Sequence, residues 1–135
     1  MGLYLYHSTP KSNPCMKSPL TKGSDGDPCS ESFSYASIVG VLMYLAGHSR
    51  PDITYNVRQV ARLKFFPKRS HEAGLKIIGW YLLGTRNKGL IITPTRDFNI
   101  DAYSNADFSG LYNYEEHNDP ICVRSRTGFV INVDG

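Results

Sequence analysis

The chain has 135 residues, 41% hydrophobic and 20% charged, which suits one globular domain or parts of two. No apolar run approaches the roughly 18 residues of a membrane-spanning helix. The start MGLYLYHSTPK lacks the basic and apolar regions of a signal peptide, and Tyr6 stands where N-myristoylation needs Ser or Thr, so the expected location is intracellular, in cytoplasm or nucleus. Net charge is +3, but residues 48–88 hold nine Lys/Arg against two Asp/Glu, a local +7, and residues 89–135 hold three against seven, a local −4. A basic middle suits a polyanion; an acidic end suits a divalent cation or plain solvation.

Residues 1–32 are rich in Ser, Pro, Gly, Lys and Asp, with SNPC and KGSDGDP favouring turns, and read as a linker or tail. The pattern then turns helical. Tyr35, Ile38, Val39, Leu42, Met43 and Ala46 form one stripe, with Ser32 or Ser34 as the N-cap and Gly47 as the C′ residue. A second helix starts in SRPDI, with Ser49 as N-cap and Pro51 and Asp52 in the first turn. Ile53, Val57, Val60 and Ala61 make its buried face, and Tyr55, Arg58, Gln59 and Arg62 the opposite one. Pro67 follows it. A third helix is expected from Ser70 to Leu83, closed by Gly84, with Gly74, Ile77, Ile78, Tyr81 and Leu82 inward and Lys76 and Trp80 on another face. After Thr85 the pattern alternates: KGLIITP, FNIDAYSNADF and TGFVINV read as strands of an antiparallel sheet with an exposed edge. The expected class is α+β, a three-helix segment (33–88) followed by an incomplete antiparallel sheet (89–135).

Two places carry candidate chemistry. Tyr55, Arg58, Arg62, Lys64, Lys68, Arg69, Lys76 and Trp80 combine cations and aromatics as a phosphate-contacting, base-stacking surface does; a solvated basic helix face is the plainer reading. In YSNADFSG, Asn105 and Asp107 share one face of a strand, as paired metal-holding carboxylates would, but Asn105 is an amide. The cysteines (Cys15, Cys29, Cys122) are widely spaced and odd in number, as expected of free thiols. His7, His48, His71 and His117 are scattered, which suits surface or capping roles. No P-loop, G-x-G-x-x-G, G-x-S-x-G or H-E-x-x-H is present.

Four segments, in order, resemble one family. YASIVGVLMYLAGHSRPDI, HEAGLKIIGWYLLGT, DAYSNADFSG and VRSRTGFVINV look like the copia type of retrotransposon Pol polyprotein where reverse transcriptase ends and RNase H begins. Ser49 replaces the usual Thr, and Trp80 the usual Arg. The resemblance implies that the helical part is thumb- or connection-like and contacts an RNA/DNA duplex or hybrid. It also implies that the strands open a truncated RNase H-like domain. In the parent family Mg²⁺ ions held by separated carboxylates clamp the phosphodiester. The first of these carboxylates falls at Asn105, leaving Asp107 as a weak metal candidate. The next would be a Glu on a helix beyond Gly135, and the polymerase Tyr-x-Asp-Asp turn has no counterpart. The expectation is a Pol segment, partnered by the rest of a polyprotein, that is not an enzyme alone and needs no cofactor of its own. A small nucleic-acid-binding module and an RNase H-type nuclease completed by a partner chain stay open as alternatives.

Overall fold

The computed structural model describes residues 9–23, 26–30, 34–89, 91, 99–107, 110–115, 118, 120 and 123–133. They fall into two units, residues 1–87 and 88–135.

In the first unit α1 (Tyr35–His48) buries Tyr35, Val39 and Leu42, with Ile38, Leu45 and Ala46 half-buried beside them. Met43, expected in this stripe, is exposed. Ser34 occupies the N-cap position, but its hydroxyl donates to the Ser37 hydroxyl (2.8 Å) rather than capping a backbone N–H. Gly47 lies inside the helix, not after it. The stop comes at Ser49, because Arg50 precedes a proline and is driven out of the helical region (φ −131°, ψ 65°). Ser49 therefore closes α1 instead of opening the next helix. Pro51–Ile53 form a 3₁₀ turn leading into α2 (Thr54–Ala61).

That junction is fastened to the end of α3 (Arg69–Gly84). Arg50 grips Asp52 with two nitrogens (Nε–Oδ1 3.0 Å, Nη2–Oδ2 2.7 Å) and donates to the Thr85 hydroxyl (2.7 Å). The Tyr81 hydroxyl donates to the same carboxylate (2.7 Å), and the Tyr81 ring lies 5.4 Å from the guanidinium carbon. The segments SRPDI and YLLGT thus meet in one polar cluster.

Val57 and Val60 bury as the spacing predicts, but so do Asn56 and Gln59; Gln59, read as outward-facing, is only 4% exposed. The reason is the 9–30 segment. Its described part packs on the helical layer, with Met16, Leu20 and Cys29 against the core. Cys29 N–H donates to the Pro67 carbonyl (3.0 Å) and Arg69 N–H to the Asp27 carbonyl (3.1 Å). Gly74 permits the approach, since a Cβ there would stand 2.9 Å from Met16 Sδ. α3 is consequently covered on two sides and buries His71, Glu72, Leu75 and Gly79 as well as Gly74 and Ile78. Leu75 was not among the residues expected to face inward.

In the second unit β1 (Ile100–Ala106) pairs antiparallel with β2 (Thr127–Val133), in register from Ile100 opposite Val133 to Ala106 opposite Thr127. Every residue of both strands is exposed. Of the first expected strand, KGLIITP, only Lys88, Gly89 and Ile91 are described, none in a strand; the rest, like Ser32, lies outside the described residues. Among the described residues the chain is α+β: three α-helices and a small, unclosed two-stranded sheet.

Candidate nucleic-acid interface and the β1 site

The eight residues grouped from the sequence separate in the fold. Tyr55 and Arg58, one turn apart on α2, are exposed, and among the described residues no hydrogen bond or ion pair engages the Arg58 guanidinium. Arg62, expected beside Arg58, instead sends Nη2 to the Leu20 carbonyl (2.7 Å). Lys68 Nζ donates to the Gly23 carbonyl, and Arg69 lies 3.9 Å from Asp27. Lys76 pairs with Glu72 one turn earlier (3.8 Å). Trp80 is half-buried, and its carbonyl accepts from Lys11 N–H (3.4 Å). Lys64 is exposed, with Nζ 5.0 Å from the Phe65 ring. The cations that remain open are Arg58 and Lys64, with Arg69 highly exposed and only loosely paired. Arg62 and Lys68 hold the 9–30 segment, though each donates to a neutral carbonyl there and so keeps its charge.

His71 shows why this segment stays down. Lys68 N–H donates to Nδ1 (3.0 Å), which fixes the proton on Nε2, and Nε2–H donates to the Thr21 carbonyl (3.0 Å). Burial pulls its pKa below the ordinary 6.5, outweighing the Thr21 carbonyl, and the Lys68 and Arg62 cations lower it further. A neutral His71 in the fold and a titrating one in the unfolded chain give a definite sign. The contribution is complete above about pH 6.5 and fades as pH falls toward the lowered folded value. Thermal melts should show a midpoint that drops between neutral and mildly acid pH, with a shallower drop in His71→Gln.

Nearby, Glu72 accepts from Ser30 N–H (2.6 Å). Its burial raises the pKa, but Ser30, the Cys29 thiol, Lys76 and Arg69 outweigh that and leave it lowered. Burial, followed by Glu72, raises the Cys29 thiol to about 11, so it is an unreactive thiol.

At the second site Asn105 lies opposite Gly128, on the face shared by Asp101, Tyr103, Val130 and Asn132. Asp107 follows the strand and is already occupied. Its N–H donates to the Arg126 carbonyl (2.9 Å), one carboxylate oxygen accepts from Arg126 N–H, and the other lies 3.5 Å from Arg126 Nε. A Cβ at Gly110 would collide with this carboxylate. Asp107 thus works as a clamp at the open end of the strand pair. The donor set does not fit Mg²⁺: one neutral amide, one carboxylate spent on Arg126, and no cluster of three His, Cys, Asp or Glu among the described residues. In the sequence Arg126 is marked by nothing more than the basic VRSRTG step before β2. Phe65 and Phe66, exposed in the turn after α2, were also missed; two aromatics before a proline, outside the helical stripe, are the trace they leave.

Among the described residues no helix is long and apolar enough to cross a membrane. No family model matches the chain, and no solved structure matches it. Curated proteins do. The chain is 36% identical over 101 residues to the retrovirus-related Pol polyprotein from transposon RE1 of Arabidopsis thaliana, and 33% identical over 101 residues to that from transposon RE2 of the same plant. Each match covers 75% of this chain and 7% of the polyprotein. It is also 31% identical over 101 residues to the secreted RxLR effector protein 161 of Plasmopara viticola, covering 66% of that protein. Over 75% of its length the chain is homologous to a short part, 7%, of these copia-type retrotransposon Pol polyproteins.

Proposed function

We propose that the helical unit contacts nucleic-acid phosphates nonspecifically as part of a Pol polyprotein, and that the strand unit is the opening of an RNase H-like region with no catalysis of its own. One observation carries the reading of the strand unit. The carboxylate beside the position that the resemblance gives to the leading metal ligand, Asp107 two residues after Asn105, is engaged by Arg126. Binding is supported by the local +7 of residues 48–88, of which Arg58, Lys64 and Arg69 are exposed, and by the Pol polyproteins among the relatives. The rest of a polyprotein is the natural partner, since the chain spans 7% of those relatives.

Electrophoretic titration against an RNA–DNA hybrid at low and at physiological salt tests the binding half. Affinity should fall steeply with salt, and Arg58→Ala with Lys64→Ala should reduce the log–log salt slope by about two, roughly one per lost phosphate contact. Binding indifferent to salt, or unchanged in the double variant, would contradict it.

A further inference from the structure

The turn joining α2 to α3 reads LKFFPKR, and its parts are sorted sharply. Leu63 is buried in the helical layer, whereas Phe65 and Phe66 are 76% and 86% exposed. Leaving two phenyl rings in water forgoes the burial that normally drives such side chains inward. Looseness of the turn does not account for it. Leu63 N–H donates to the Val60 carbonyl (3.1 Å), Lys64 N–H to the Ala61 carbonyl (3.4 Å), and the Pro67 carbonyl accepts from Cys29 N–H (3.0 Å). Lys68 N–H is held by His71 (3.0 Å). The rings therefore project from a turn fixed on both sides.

The surroundings are cationic. Lys64, Lys68 and Arg69 flank the rings, and residues 63–69 contain no acid. Lys64 Nζ already lies 5.0 Å from the Phe65 centroid, setting a positive charge beside an aromatic face. Lys68 donates to a neutral carbonyl and keeps its charge. Asp27 is 3.9 Å from Arg69, with both side chains largely in solvent, so it offsets little.

We propose that this turn is a stacking platform for unpaired nucleobases, with Phe65 and Phe66 receiving the bases and Lys64, Lys68 and Arg69 receiving the phosphates. The inference rests on the nucleic-acid reading above and sharpens it. A basic face alone binds duplex and single strand alike, whereas exposed rings reward only bases whose faces are free, as in a single strand or a frayed end.

The test uses Phe66→Trp as a fluorescent reporter in the full chain, against the Trp80 background of the wild type. It is titrated with a short oligothymidylate, with a duplex of equal length, and with phosphatidylcholine–phosphatidylserine vesicles. The oligothymidylate should quench the new tryptophan to saturation and the duplex should not. Phe65→Ala with Phe66→Ala should weaken oligothymidylate binding about tenfold or more. Its salt slope should be unchanged because the cations remain. Thermal stability should also be unchanged, since both rings lie in solvent. Wild-type affinity in the double-alanine variant, with salt-dependent binding retained, would overturn the platform and leave the phosphate-binding reading standing. A reporter that responds to vesicles and not to the oligonucleotide would overturn it in favour of a membrane surface. Absence of any nucleic-acid binding by the wild type would overturn both.

Discussion

A chain lacking residues 1–30 is expected to lose its cooperative thermal transition. The 9–30 segment supplies the carbonyls of Leu20, Thr21 and Gly23 to Arg62, His71 and Lys68, and the Ser30 N–H to Glu72. Each such bond contributes about 1 kcal/mol net, somewhat more where one partner is charged. Met16 and Leu20 cover Gly74 and the side of the core beside it; both are half-buried, so each contributes about half of the roughly 1.5–3 kcal/mol of a fully buried side chain. Together these losses reach roughly 6 kcal/mol, comparable with the whole stability of a small domain. Circular dichroism during heating checks this; a sharp transition at an unchanged temperature would show the segment to be a dispensable tail.

The segment also explains what the sequence hid. α1 was legible because its stripe faces one layer, so Tyr35, Val39 and Leu42 recur at helical spacing. α2 and α3 are covered twice, by helices on one side and by the 9–30 segment on the other. A stretch built of Pro, Ser and Lys has no period of its own and binds through backbone carbonyls, so nothing in its composition marks what it will cover. Helical spacing alone therefore points Gln59 and Arg62 outward and leaves Leu75 outside the inward stripe. In the second unit the alternation of FNIDAYSNADF correctly gave a strand. The use of Asp107 was not legible, because it depends on Arg126, nineteen residues away, being brought to the same strand end by the register.

Arg50→Ala carries the second large effect, a destabilisation of about 2–3 kcal/mol. The variant removes a forked ion pair and the link to Thr85, and leaves Asp52 with the Tyr81 hydroxyl and its own backbone N–H. The figure is kept modest because the Asp52 side chain is 39% exposed and water can replace part of what it loses. Arg50→Lys should recover little, since an ammonium cannot reach both carboxylate oxygens and Thr85 in one plane. The pair also fixes an acid response. Arg50 above all, with Tyr81 assisting, holds the Asp52 carboxyl down to about 2 against the effect of burial. Its contribution is present above the ordinary value of 3.8 and is lost as pH falls through about 2. Urea melts of wild type and Arg50→Ala at neutral pH and near pH 2 should converge at the lower value; an equal gap at both would place the effect elsewhere.

We propose that this chain, homologous to part of a Pol polyprotein, carries the first strand of an RNase H-like site without its chemistry. The most direct measurement is cleavage of an RNA–DNA hybrid in Mg²⁺ by the wild type, Asn105→Asp and Asp107→Ala. No cleavage is expected from any of the three, because restoring one carboxylate still leaves Asp107 bound to Arg126. Mg²⁺-dependent cleavage by the wild type that disappears in Asp107→Ala, or activity restored by Asn105→Asp, would contradict this proposal.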